Sequence, residues 1–165
     1  MERTLYVDMD GTIARFHDEP GYLERMSEKD FFFKLKAFDY AVEGIKRLIN
    51  SRTIKIKVLS TTQGESCSID KTRWLGLHIP ELTEGNIILV PAGQDKTDFI
   101  ADKGNAVLLD DYNKNLEVAR KEGLLCIKAV NNINDKGRVG EKWGGLRVDV
   151  CSKDFYEQLI SALKL

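Results

Sequence analysis

Short apolar runs that end in polar residues recur along the chain. Five of these runs are rich in β-branched residues and have the length of strands. They lie at residues 5–7, 54–59, 87–90, 106–109 and 124–130. Between them the apolar positions follow a helical spacing, as at Val42, Ile45 and Leu48. Strand–helix alternation of this kind predicts a three-layer α/β Rossmann-like domain with a mostly parallel, five-stranded sheet.

Two stretches do not fit this alternation. Residues 14–40 lie between the first strand and the first predicted core helix and are rich in aromatic residues. A segment of this length with its own apolar residues is uncommon as a loop, so we predict a small helical cap inserted after the first strand. Residues 1–165 then form a single domain with one insertion. Residues 131–147 are rich in Asn and Gly, which predicts a surface loop or hairpin.

Composition and charge narrow the class of protein. The chain has 165 residues, of which 42% are hydrophobic and 31% charged, as in ordinary globular domains. Its 25 basic and 26 acidic side chains leave a net charge of −1, so we expect no stable complex with nucleic acid. The opening residues MERTLYVDMDGT are not expected to be a secretory leader, and the sequence contains no apolar run of bilayer length. Three cysteines without a CxxC pair fit a reducing compartment, which predicts a cytoplasmic protein without membrane contact.

Acidic residues cluster at the predicted carboxyl ends of the strands, the edge at which open α/β sheets bind ligands. The first strand ends in Asp8 and Asp10, within DMDGT, and the fourth in Asp110 and Asp111, within LLDDY. At about 4 Å, each pair of like charges costs about 4 kcal/mol at an effective dielectric of 20. Either a divalent cation or protonation of one carboxyl relieves this repulsion. Because hard oxygen ligands suit Mg²⁺, these four residues are candidate magnesium ligands.

Further polar residues extend the pattern into a resemblance. Ser60 and Thr61 follow the second strand, and Lys96 precedes the fourth. This order, DxDGT, Ser/Thr, Lys and then an acidic pair, resembles the haloacid dehalogenase superfamily of phosphotransferases. QDKT, LLDDY, the segment Lys71-x-x-Trp74 and FFFKLKAFDYAVEGIKRL resemble the 5'(3')-deoxyribonucleotidases within it. Phosphorelay receiver domains are excluded, because their acidic pair follows the first strand and their lysine comes last.

The resemblance implies a chemical role for each residue. Asp8 is expected to attack phosphorus and form an aspartyl-phosphate. Asp10 is expected to protonate the leaving oxygen and then to take a proton from water. Lys96 is expected to neutralise charge on the phosphoryl group. Ser60 is expected to hydrogen-bond a phosphoryl oxygen, with Thr61 as the alternative.

Several assignments stay open at the level of sequence. We favour Asp110 over Asp111 as the direct metal ligand. Asp111 would then bind the metal through a water molecule or act as an acidic residue next to the direct ligands. Lys71 is either a substrate-binding residue or an ordinary lysine on an exposed helix face. Phe16 and Phe32 are candidates to stack on a nucleobase, and the alternative for Phe32 is a place in the core of the cap.

These residues together predict a Mg²⁺-dependent phosphomonoester hydrolase. The family resemblance implies nucleoside monophosphates, including deoxyribonucleotides, as small-molecule substrates. A small cap leaves a site open, so a phosphatase of phosphosugars, polynucleotide ends or many monoesters is the alternative. A non-catalytic module that binds a phosphate ligand is a hypothesis of another class. The presence of Asp8, Asp10 and Lys96 beside the acidic pair counts against that module.

Overall fold

A parallel sheet forms the central layer of the fold. The computed structural model describes residues 3–134 and 143–165. Within these residues the strands are β1 (Thr4–Val7), β2 (Lys55–Thr62), β3 (Ile87–Pro91), β4 (Ala106–Asp110), β5 (Leu125–Val130) and β6 (Leu146–Asp149). They pair in the order β3-β2-β1-β4-β5-β6, and every pair is parallel.

Helices cover both faces of this sheet. The α-helices are α1 (Tyr22–Arg25), α2 (Asp39–Ser51), α3 (Glu65–His78), α4 (Asn113–Lys121) and α5 (Phe155–Leu163). Short 3-10 helices lie at Phe32–Lys34, Glu84–Asn86, Lys96–Phe99 and Lys103–Asn105. In the part of the chain that the structure describes, none of the helices has the length and apolar character needed to cross a bilayer.

The side chains of each strand alternate between two cores. Leu5 and Val7 of β1 face the larger core, in which α2, α3 and α5 pack, whereas Tyr6 faces a smaller core beneath α4. The apolar stripe predicted for α2, Val42, Ile45 and Leu48, is buried in the larger core, and so is a stripe of α5 formed by Phe155, Leu159 and Leu163. This arrangement confirms the predicted three-layer α/β Rossmann-like fold.

The sheet has six strands where the apolar runs predict five. The additional strand, β6, was missed because only Val148 of its four residues is buried, so its sequence carries no apolar run. It pairs in parallel with β5, and parallel neighbours cannot be joined by a tight hairpin. The connection between them is therefore a longer crossover, and residues 135–142, the middle of the predicted surface loop or hairpin, lie outside the described residues.

The sequence between the third and fourth predicted strands also predicts a short helix at residues 97–103, but in the described structure no α-helix spans these residues. Two 3-10 helices, Lys96–Phe99 and Lys103–Asn105, occupy this stretch. Asp102 between them has a left-handed backbone with φ 49°, through which a right-handed helix cannot continue. The tight turn that replaces the helix begins at Lys96 and buries its side chain.

The segment between β1 and α2 packs its aromatic rings against one another. Phe16 stacks on Phe32, with ring centroids 5.7 Å apart, and meets Phe31 and Tyr22 edge to face. Phe16, Phe31 and Phe32 are all buried in the larger core. The limits of the insertion at 14–40, and the single domain over 1–165, stay predictions.

Several contacts fasten this cap segment to α3, and two of them are buried. Trp74 donates from its Nε1 to the Leu35 carbonyl oxygen at 2.8 Å. Almost one turn earlier, the Lys71 ammonium lies 4.5 Å from the centroid of the Phe32 ring, a cation–π contact. Because Trp74 and Phe32 are both buried, these contacts hold the segment against the core.

We expect Gly44→Ala to destabilise the fold although Gly44 lies inside α2. Alanine is favoured over glycine in a helix interior by about 1 kcal/mol. A Cβ at this position would lie 2.6 Å from the Phe155 ring of α5, however, and overpacking costs about 1–3 kcal/mol. The free energy of unfolding, measured by urea denaturation, should therefore fall by up to about 2 kcal/mol.

The matched control is Gly76→Ala in α3, where a Cβ would meet open space. This substitution should raise the free energy of unfolding by about 1 kcal/mol. Equal gains in the two variants would contradict the close packing of α2 on α5.

Candidate active site

A cavity of about 160 Å³ lies at the carboxyl edge of the sheet. Seven of the residues singled out in the sequence line it: Asp8, Asp10, Phe16, Thr61, Lys96, Asp110 and Asp111. They meet because β1 lies between β2 and β4, so the ends of these three strands are adjacent. Ser60, Lys71 and Phe32 lie behind the cavity wall rather than in it.

A tight turn after β1 positions the first two aspartates. The Asp8 backbone N–H donates to the Leu109 carbonyl oxygen at 2.9 Å, which holds the turn beside the end of β4. Gly11 has φ 83°, and a Cβ there would collide with the Asp111 carboxylate. The Gly11 carbonyl oxygen accepts a hydrogen bond from the buried Asn131 Nδ2 at 2.8 Å. Only glycine permits this close approach of the turn to Asp111.

One ammonium group lies between two buried carboxylates. Lys96 Nζ donates to Asp8 Oδ1 at 2.5 Å and to Asp110 Oδ2 at 2.7 Å. Burial alone would lower the pKa of Lys96, but the Asp110 and Asp8 carboxylates outweigh it and raise that pKa. The lysine is therefore cationic, and removal of either partner would leave an uncompensated buried charge.

The carboxyl groups outnumber the cation between them. Burial raises the pKa of Asp8 to about 7. The Lys96 ammonium opposes this shift, and the charges of Asp110 and Asp10 add to it. Burial also raises the pKa of Asp111 well above its ordinary value, and Asp8 and Asp110 add to that shift. Asp8, Asp110 and Asp111 each offer an oxygen within 4.8 Å of the others. A divalent cation would relieve this repulsion, and carboxylate oxygens are suitable ligands for Mg²⁺.

Hydrogen bonds distinguish the two adjacent aspartates. Asp110 Oδ1 accepts from the Tyr112 backbone N–H at 2.8 Å. Asp110 Oδ2 accepts from Asn115 Nδ2 at 3.0 Å and also from Lys96 Nζ. Over the described residues, Asp111 accepts no such bond at its carboxylate, which lies 3.8 Å from His17 Nδ1. The bonding therefore favours Asp111 over Asp110 as the carboxylate available to a metal.

Lys71 lies at the back of the site and not on an exposed helix face. Its side chain is 1% exposed, and its Nζ donates to Asp10 Oδ2 at 2.5 Å. The same Nζ donates to the Thr61 carbonyl oxygen at 2.6 Å and to Ser60 Oγ at 3.0 Å. Asp10 Oδ1 is buried and has no hydrogen-bond partner in the described structure, so it is available to another group. The Ser60 hydroxyl accepts a hydrogen bond from Lys71, whereas Thr61 is the residue of the two that lines the cavity.

Three further residues line the cavity without having been singled out in the sequence: His17, Tyr112 and Asn115. Asn115, in the first turn of α4, donates a hydrogen bond to Asp110 and so helps to fix that carboxylate. In the sequence, only its position five residues after Asp110 could have indicated this contact. The neighbours of His17 lack ligand spacing, so sequence reasoning assigns it no role. Tyr112 stands next to the acidic pair, where its type suggested no chemistry.

Solved structures with this fold include several phosphatases. The D,D-heptose 1,7-bisphosphate phosphatase of Burkholderia thailandensis is 17% identical, with a TM-score of 0.62 over 97% of this chain and 99% of that one. A HAD family hydrolase of Deinococcus radiodurans, solved with phosphate and sodium, is 11% identical, with a TM-score of 0.61 over 99% and 97%. The N-terminal part of a Bacteroides fragilis protein containing a phosphatase domain, solved with Mg, is 21% identical. Its TM-score is 0.56 over 98% of this chain and 40% of that one. The fold is therefore that of haloacid dehalogenase (HAD) type hydrolases.

A family model assigns the chain more narrowly. The family described as "5' nucleotidase, deoxy (Pyrimidine), cytosolic type C protein" matches residues 22–147. This match spans more than half of the chain, so the chain belongs to that family and is a HAD-type phosphatase. The matched range includes Lys71, Lys96 and Asp110, and it begins after Asp8 and Asp10. A comparison with curated proteins finds no match.

We expect Gly11→Ala to reduce phosphatase activity to less than about a tenth, a change of about 1.4 kcal/mol or more in the barrier. The added Cβ would displace the Asp111 carboxylate and the His17 ring from the turn. Release of p-nitrophenol from p-nitrophenyl phosphate measures the loss.

Gly93→Ala is the matched control for this substitution. Gly93 has a similar φ of 88°, but a Cβ there would meet open space. Both variants should lose about 1–2 kcal/mol of stability from the backbone conformation. If Gly11→Ala and Gly93→Ala had equal phosphatase activity, the close approach of Gly11 to Asp111 would have no bearing on the site.

Proposed function

We propose that the protein is a Mg²⁺-dependent phosphatase that hydrolyses nucleoside monophosphates through an aspartyl-phosphate on Asp8. The geometry around Asp8 carries this proposal. Its buried carboxylate has an ammonium group at 2.5 Å and lies within 4.8 Å of oxygens from Asp110 and Asp111. A nucleophile, a cation for the phosphoryl group and a set of metal ligands are the parts that this chemistry needs.

Asp8 begins the reaction by forming a bond from a carboxylate oxygen to phosphorus while the phosphorus–oxygen bond of the ester breaks. Lys96 at Oδ1 and the Thr12 hydroxyl, 3.3 Å from Oδ2, orient the carboxylate for this attack. Asp10 donates a proton to the departing oxygen and takes one from the water that cleaves the aspartyl-phosphate. The unpartnered Asp10 Oδ1 supports that role, because its other oxygen is bound to Lys71.

The surrounding residues bind the phosphoryl group and compensate its charge. Lys96 reaches the nucleophile directly, and Thr61 is the hydroxyl residue that lines the cavity, so both are assigned to phosphoryl oxygens. A bound Mg²⁺ supplies charge neutralisation between the carboxylates and the phosphate dianion. Asp8, Asp111 and the Asp10 backbone carbonyl are the groups assigned to hold it.

Family membership supports the substrate class, since the family is described as a deoxy, pyrimidine 5' nucleotidase. The word cytosolic in that description likewise supports the predicted cytoplasmic location. The small volume of the cavity favours one alternative, a phosphatase of broad specificity. A cavity of about 160 Å³ is below the range of about 300–1,000 Å³ in which pockets enclose a small molecule.

We expect Asp8→Asn to leave less than about a tenth of the activity on any monoester, because the amide is nearly isosteric but does not attack phosphorus. Phosphate release measures the rate. Asp98→Asn, at an exposed aspartate outside the cavity, is the control and should keep full activity. Substantial turnover by Asp8→Asn would show that another group is the nucleophile.

Chelation should abolish activity, and Mg²⁺ should restore it, because the phosphate dianion must approach a cluster of carboxylates. We expect Asp111→Asn to raise the Mg²⁺ concentration for half-maximal rate by about tenfold or more. Asp110→Asn should raise it less, since Asp110 is bound to Lys96 and Asn115. The opposite order would restore Asp110 as the direct ligand, and full turnover in EDTA would exclude a metal requirement.

A further inference from the structure

The aromatic rings of the cap segment are engaged with one another. Phe16 is the cap phenylalanine that reaches the cavity, and it is 8% exposed. One face stacks on Phe32 with an interplanar angle of 6°, while Tyr22 and Phe31 meet the ring edge to face. One face of Phe16 is therefore occupied, and little of the ring is open to a nucleobase.

A more accessible aromatic residue lines this cavity from the loop after β4. Tyr112 lines the cavity and is 58% exposed. Among the described residues, neither another ring nor a guanidinium group packs on it. Its backbone is fixed at both ends, because its N–H donates to Asp110 Oδ1 at 2.8 Å and its carbonyl oxygen accepts from the Leu116 N–H at 3.3 Å. An exposed ring thus stands on a rigid base beside the catalytic carboxylates.

The size of the cavity directs part of the substrate towards this ring. With the phosphoryl group beside Asp8 and Lys96, about 160 Å³ does not enclose a whole nucleoside monophosphate. The base, which is the part farthest from phosphorus, must extend through the opening. An exposed aromatic ring there offers a stacking surface for any base, because every base has a π face.

We propose that Tyr112 stacks on the base of the substrate and determines the preference for nucleoside monophosphates over phosphosugars. This inference rests on the proposed function, since it assigns a residue to the leaving group of that reaction. It assigns the loop between β4 and α4, next to the proposed metal ligand, to base recognition.

The test compares two substrates that differ in the base, deoxyuridine 5'-monophosphate and deoxyribose 5-phosphate. Tyr112→Ala should lower the ratio of kcat/KM for the nucleotide to kcat/KM for the sugar phosphate by about 5- to 150-fold, which corresponds to ~1–3 kcal/mol. Tyr112→Phe keeps the ring and should keep the ratio within about twofold. Tyr40→Ala is the matched control, because Tyr40 is 53% exposed but lies on α2, outside the cavity.

Each other outcome overturns the inference. An unchanged ratio in Tyr112→Ala would show that the ring does not contact the base. An equal loss in Tyr112→Phe would assign the effect to the hydroxyl and not to stacking. If the unmodified protein released phosphate from neither substrate, the proposed function would fail together with this inference. If it hydrolysed both and Tyr112→Ala left the ratio unchanged, the inference alone would fail.

Discussion

The ion pairs of Lys96 with Asp8 and Asp110 are the interaction on which the site depends. Taking an unpaired carboxylate out of water costs several kcal/mol, so two such groups require a cation between them. The lysine comes from the tight turn after β3, whereas the carboxylates come from the ends of β1 and β4. The same contacts therefore hold together the ends of β1 and β4 and the turn after β3, and they orient the proposed nucleophile. With Asp111 beside them the carboxyl groups outnumber the cation, and a divalent cation would relieve that repulsion.

The sequence was sufficient to predict features that follow from strand endings. A parallel sheet brings the ends of neighbouring strands to one edge. The positions of Asp8 and Asp110 at strand ends were therefore enough to predict that these two residues lie close together. The edge strand β6 escaped prediction, because Arg147 and Asp149 are exposed and one buried residue makes no apolar run. The fold class survived this omission, since β6 adds to the edge of the sheet, beside β5.

Choices between adjacent residues could not be made from the sequence. Successive residues of a strand point to opposite faces, so an error of one position exchanges Ser60 with Thr61. The choice between Asp110 and Asp111 depended on hydrogen bonds from Asn115 and Lys96, and the sequence does not show which of the two carboxylates faces these donors. Lys71 looked like any helical lysine, because the sequence does not show that its helix face meets the catalytic turn.

The buried contacts of the cap segment with α3 connect the cap to the position of Asp10. Lifting the segment would separate the Leu35 carbonyl from Trp74 and the Phe32 ring from the Lys71 ammonium, whose position fixes one oxygen of Asp10. Seating of the cap is thus coupled, through Lys71, to the position of Asp10, the proposed acid–base residue. A movement that opened the site to bulk water would remove one of the contacts that hold this lysine in place.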